Sequence, residues 1–208
     1  MIIPPGWSGV AFGTATEGDA RRDPVALAAF RAEGVPDRLA FATQVHGATV
    51  AEVLAPGNVG EADSLFTTSR GLTLCVATAD CVPVAIGGEG FAAIVHAGWR
   101  GLAAGVVSAT VERLRHRGLD PVRAAIGPAI GPCCYEVGPD VLDRLGRFAA
   151  ETTSGTPSLD LRAAVRDQLG DLEVWSSDRC TLTDPELVSY RRNRTTHRQV
   201  ALTWLPTV

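Results

Sequence analysis

Apolar residues recur along the chain in two rhythms. One has a helical period. Asp23 followed by Pro24 marks a helix start, and Gly34 closes the segment PVALAAFRAEG. A second helix is predicted from about Leu102 to His116, with Gly118 beyond its end. Leu102, Val106, Val107, Val111 and Leu114 fall near one of its faces. PDVLDRLGRFAA (139–150) and DLRAAVRDQLG (160–170) read as two more helices. The other rhythm is strand-like: RLAFATQV, ATVAEVL, LTLCVATA, VPVAIGG, FAAIVHA, VRAAIG, LEVWSS and QVALTWL. Several of these runs follow one another between residues 38 and 96 with no room for a helix. Strict βαβ alternation is thereby excluded. The pattern predicts an α+β fold, a mixed or antiparallel sheet flanked by helices.

Composition narrows the class. The chain has 208 residues, 46% hydrophobic and 20% charged, with net charge −4 and no lysine. That length buries a substantial core, and without repeats or a long linker it reads as one domain spanning 1–208. Neither nucleic acid nor an anionic membrane finds a basic surface to bind, and no apolar run has the length of a membrane span. MIIPPGWSGV lacks the pattern of a signal peptide, and five cysteines are an odd number. A cytoplasmic protein with reduced thiols is expected, as a monomer or small homo-oligomer.

Chemistry concentrates at a few points. Of four histidines, His116 lies at a helix C-terminus, where a cation meets the last carbonyls, and His197 lies in an arginine-rich tail. His46 and His96 each end a strand-like run just before glycine, and Cys81 interrupts one in ATADCVPVAI. Two imidazoles and a thiolate suit zinc or copper with a fourth position open. The same three side chains also suit a cysteine nucleophile with a histidine base, or plain burial. Spacing alone leaves these three readings open. There is no H-E-x-x-H and no C-x-x-C. The glycine-rich stretch IGPAIGPCCYEVGP (126–139) lacks the lysine of a phosphate loop, and its prolines have no amide hydrogen to offer. Cys133 and Cys134 are expected to pack within it.

TQVHG, ADSLFTT, LTLCVATADCVPV, IVHAGWRGL, AIGPAIGPCCYEVGPDV and SYRRNRTTHRQ occur in that order. Together they resemble the YfiH-like, or laccase-domain, polyphenol oxidase family over nearly the whole chain. The resemblance implies a mixed β-sandwich with flanking helices, similar to the catalytic domain of cytotoxic necrotizing factor. It implies a purine nucleoside phosphorylase acting on adenosine, inosine, guanosine and methylthioadenosine with phosphate, and an adenosine deaminase. An older description of the family is a copper-dependent polyphenol oxidase, and some bacterial members are linked to peptidoglycan editing. The implied zinc ligands are His46, Cys81 and His96, with copper as the alternative metal. Asp80 and Arg100 are candidate catalytic residues beside them, and Gln44, Asp63, Glu136 and Arg191 candidate substrate contacts. Asp63 and Glu136 are, with Asp80, also candidate acid–base groups. In an ideal strand Asp80 points away from Cys81, unless a turn before Pro83 breaks the alternation. Arg192, Arg194 and Arg198 offer further guanidinium groups for phosphate. The tail departs from the family pattern, with Asn193 in place of an acid and His197 in place of glycine. A multicopper oxidase needs many histidines, which argues against a true laccase. A metal-free cysteine hydrolase using Cys81 with His46 or His96 is the other alternative.

Overall fold

Strand periodicity sorts the side chains into layers in the computed structural model, which describes residues 1–206. The strands are β1 (Val10–Phe12), β2 (Arg38–Thr43), β3 (Val50–Glu52), β4 (Gly57–Glu61), β5 (Ser64–Thr67), β6 (Leu72–Thr78), β7 (Val82–Gly88), β8 (Phe91–Ala97), β9 (Pro121–Ile126), β10 (Ala149–Glu151), β11 (Pro157–Leu159), β12 (Glu173–Ser176) and β13 (Gln199–Trp204). The helices are α1 (Pro24–Ala32), α2 (Trp99–Ala103), α3 (Val106–His116), α4 (Pro139–Leu145), α5 (Leu161–Leu169) and the single turn α6 (Tyr190–Asn193).

Two mixed sheets carry the fold. One has the order β1-β13-β6-β2-β4, the other β12-β9-β7-β8-β5-β3, and β10 and β11 form a separate hairpin pair. Along β6, Leu72, Leu74 and Val76 turn inward to meet Ala85, Ile94 and Ala125 of the opposite sheet. Cys75 and Ala77 turn outward beneath Phe30 of α1. On the second sheet, Val82, Val84, Ala93 and Val95 face α3 and α5. The layers therefore run helix, sheet, sheet, helices, each strand burying alternate residues on its two faces. Phe30, fully buried under the first sheet, carries much of α1's attachment, since its truncation to alanine would cost about 3–5 kcal/mol. The α+β sandwich expected from the sequence is the observed architecture. No helix among the described residues is long and apolar enough to cross a membrane.

Two predicted helices are shorter than their patterns. The stretch from 102 to 116 is two helices, because Gly105 adopts φ 77° between α2 and α3. The stretch 139–150 passes from α-helix to a single 3-10 turn at Gly146–Phe148, and Ala149 and Ala150 pair with β11. Five short strands, β1, β4, β5, β10 and β11, were not separate elements in the hydrophobic pattern.

Candidate metal centre

Strand ends deliver the three donors to one point. His96 is the next-to-last residue of β8 and shares the face of Ile94, which looks toward the other sheet. Cys81 lies in the bend between β6 and β7. His46 follows β2 in a turn closed against Asp63. The ligating atoms of His46, Cys81 and His96 all lie within 4.8 Å of one another. The two imidazole rings meet edge to face at a centroid distance of 4.8 Å.

Asp63 organises this trio from behind. Its carboxylate meets His96 Nδ1 at 2.8 Å and accepts the backbone N–H groups of Val45 (3.2 Å), His46 (3.0 Å) and Gly47 (2.7 Å). A carboxylate on Nδ1 fixes the imidazole with Nε2 directed at the site, as metal-binding histidines require. The same carboxylate holds His46 in a left-handed conformation at φ 61°. Burial pushes the Cys81 thiol up, but the facing His96 and His46 imidazoles outweigh it and bring it down to about 6. Burial likewise opposes charge on His96, while Cys81 and then Asp63 hold it up at about 9. A thiolate at the centre of two imidazoles is a donor set that fits zinc or cuprous copper. Gly98 completes the cradle, since a Cβ there would stand 3.0 Å from both Cys81 Sγ and His46 Cδ2.

Asp80 resolves the problem of two adjacent polar residues in a strand-like run. Its φ of 90° turns the chain, so its side chain and that of Cys81 both line the cleft. Its carboxylate accepts Thr181 Oγ1 at 2.6 Å and the Arg191 backbone N–H at 2.7 Å, tying the start of α6 to the site. His46, Asp80 and Arg194 are the non-glycine residues with positive φ among those described, and all three line the cleft. Strain of this kind collects where geometry serves a ligand.

The cleft has a volume of about 1060 Å³. Arg21, Arg22, Arg100, Arg191, Arg194 and Arg198 line it, against a single carboxylate, Asp80. Arg21 is paired with Asp19 at 2.8 Å, and the other five make no salt bridge among the described residues. Phe41, Trp99, Tyr135 and Tyr190 supply flat walls, with Arg100 stacked on Trp99 and Arg191 over Tyr135. Thr78, at the end of β6, lines the same space and keeps a buried hydroxyl without a partner.

The structure thus brings together His46, Cys81, His96, Asp80, Arg100, Gln44 and Arg191. Gln44 is bound on both sides to the Ala77 backbone, at 2.8 Å each way, so it spends its amide on β6. Asp63 and Glu136 do not line the cleft. Asp63 is buried behind the donors, and Glu136 offers only its backbone carbonyl, which accepts Arg191 Nη1 at 2.9 Å. Arg192 also turns away, donating to the carbonyls of Thr181, Leu182, Asp184 and Leu187. Asn193 and His197 are exposed and outside the cleft. The aromatic walls and Arg21–Arg22 were not singled out from sequence. Trp99 and Tyr135 sit inside the HAGWRG and CCYEV motifs, where a signal was available, whereas Arg22 and Phe41 carried none.

Residues 12–206 match the family described as multi-copper polyphenol oxidoreductase laccase. The chain belongs to this family. A purine nucleoside phosphorylase of Streptomyces coelicolor is 44% identical over 184 residues, covering 82% of this chain and 76% of the relative. One of Mycobacterium tuberculosis strain H37Rv is 40% identical over 202 residues, covering 88% and 81%. Among solved structures, YlmD from Geobacillus stearothermophilus superposes with a TM-score of 0.86 at 29% identity, over 98% of this chain and 94% of that one. YfiH of Bacillus licheniformis gives 0.74 at 29% identity, over 81% and 74%. The YfiH-like sandwich is therefore the fold of this laccase-like chain.

Proposed function

We propose that the protein is a zinc-dependent purine nucleoside phosphorylase, its 1–208 chain acting as a single catalytic domain. Its substrates are adenosine, inosine, guanosine and methylthioadenosine with inorganic phosphate, and it deaminates adenosine to inosine at the same site. The observation that carries the reading is the cleft itself: three metal donors beside four aromatic side chains and five arginines that make no salt bridge among the described residues. Guanidinium groups suit phosphate, and flat walls suit a purine. The names of the relatives, purine nucleoside phosphorylases, support purine nucleosides and phosphate as the substrate class. Nothing in such a cleft is specific to a phenol. A multicopper site is further disfavoured because His116 and His197 join neither cluster of ligating side chains among the described residues.

His46, Cys81 and His96 would hold the metal, with His96 using Nε2. A zinc ion there supplies Lewis acidity and a means of activating water. The chain's own side chains do the rest. Arg100 and Arg191 grip phosphate, with Arg191 pinned by Asp80 and the Glu136 carbonyl. Trp99, Tyr135 and Tyr190 wall the purine and keep bulk water from the reacting carbon. Thr78 Oγ1 gains the partner it lacks when a polar ligand group reaches the cleft. Asp80 is the one cleft carboxylate able to pass a proton to the departing base or amine.

The test pairs metal analysis with products. Adenosine plus phosphate should yield adenine and ribose 1-phosphate, and adenosine in water should yield inosine and ammonia. Full activity after metal stripping would favour the cysteine hydrolase instead, and oxidation of phenols by a copper-loaded sample in place of phosphorolysis would favour the oxidase. Arg100→Ala should raise the KM for phosphate by about 10- to 100-fold, the worth of a charge-assisted hydrogen bond.

A further inference from the structure

Away from the cleft the chain gathers a second trio of ligating side chains. Cys133 and Cys134 lie in the turn after β9, and Cys180 follows β12. The Sγ atoms of Cys133 and Cys134 are 2.8 Å apart, those of Cys133 and Cys180 3.9 Å, and all three lie within 4.8 Å of one another. All three thiols are half-buried, and none lines the cleft.

We propose that Cys133, Cys134 and Cys180 form a second metal site, a three-thiolate site for a thiophilic d10 cation, zinc or cuprous copper. Sulfurs that share a metal at about 2.3 Å stand about 3.8 Å from each other. The Cys133–Cys180 separation of 3.9 Å already has that value. The Cys133–Cys134 pair, at 2.8 Å, is longer than the roughly 2.05 Å of a disulfide and opens to the metal spacing by side-chain rotation. Three thiolates complete a trigonal cuprous ion and leave a tetrahedral zinc one donor short, to be met by water.

A backbone amide and a guanidinium stand beside the sulfurs. Cys180 Sγ accepts the Gly131 backbone N–H at 3.2 Å. The Arg162 guanidinium donates to the carbonyls of Ala129 and Arg179 and stands near enough to Cys180 and Cys133 to feel both sulfurs. Amide hydrogens and a cation offset the negative charge that three sulfurs bring to one metal.

A metal here lies outside the cleft and clamps two segments that help to form it. Tyr135, a cleft wall, follows Cys134. Thr181, next to Cys180, pairs with Ala129 through its backbone and donates its hydroxyl to Asp80. The clamp would thus hold Tyr135 and Asp80 in register from outside.

The experiment titrates reduced, metal-stripped protein with Co2+, Zn2+ and, without oxygen, Cu+. Wild type should take two equivalents, and Cys133→Ser and Cys180→Ser one each. The thiolate-to-cobalt absorption of wild type should be about four times that of either variant, from one thiolate at the first centre and three at the second. Retention of Cu+ alone against a chelator assigns the trigonal form, and retention of Zn2+ the water-completed one. A control free of variant folding is alkylation of wild type, in which metal should protect Cys133, Cys134 and Cys180 together. A single equivalent in wild type, or alkylation of the three thiols at equal rates with and without metal, overturns the proposal.

Discussion

The hydrogen bond between Asp80 and Thr181 links two trios of ligating side chains, one beginning beside it at Cys81 and the other at Cys180, and they differ in donors, access and support. The first mixes two imidazoles with one thiol, opens into a cleft of about 1060 Å³, and is organised by a buried carboxylate. The second is all sulfur, faces no such cleft, and is supported by backbone amides and one guanidinium. A site with nitrogen donors that opens into a cleft leaves room for substrate chemistry, whereas a sulfur site away from the cleft would brace structure. The same metal could serve both, so it is the access and the supporting groups that separate a reactive centre from a clamp.

The sharpest way to break this contrast is Cys81→Ser. It should remove metal from the first centre, leave the second loaded, and lower phosphorolysis by more than about 100-fold, read by metal content and rate together. Asp63→Asn comes next. It keeps the shape but loses the charge that orients His96 and gathers the turn at His46. Loss of such a supporting partner should cost about 10- to 100-fold in metal affinity at the first centre, with the second unchanged. Gly98→Ala tests the cradle, because its Cβ would press on Cys81 Sγ and His46 from 3.0 Å. A loss of about tenfold in metal affinity, from about 1–3 kcal/mol of crowding, is expected at the first centre alone. A Gly98→Ala protein with unaltered affinity would show that the donors have slack.

How far the two sites could be read from the chain follows the same division. The strand that follows Cys81 and the one that holds His96 are continuous apolar runs, and the structure reproduces Val82–Gly88 and Phe91–Ala97 as quoted from the pattern. The sandwich was legible for the same reason. The long helix was not read correctly, since a glycine that breaks it at φ 77° sits among residues with good helical period. Asp63 was expected at the substrate and stands behind the donors. Nothing local could show that, because its partners Val45, His46, Gly47 and His96 lie 16 to 33 residues away. Cys180 is 47 residues from Cys133, and tertiary pairing such as that of Ala129 with Cys180 brings the sulfurs together. Strand periodicity tells which face a side chain takes, but not which distant loop will meet it.

The smallest effect on turnover should come from Cys133→Ser, and it tests the contrast from the other side. Among the described residues the Cys133 sulfur makes its hydrogen bonds with Cys134 and Cys180 and none with a cleft residue. Phosphorolysis should therefore fall within about threefold, through looser placement of Tyr135 and Asp80 rather than lost chemistry. Stability should respond more clearly. A metal that binds only the folded chain adds about 2.7 kcal/mol when present at a hundred times its dissociation constant. The Cys81→Ser protein, its first centre blocked, should accordingly melt at a higher temperature with added metal than without it. The double variant Cys81→Ser, Cys133→Ser should show no such rise. If it rises as far as Cys81→Ser alone, the sulfur trio is not a clamp, and the distinction between the two centres falls with it.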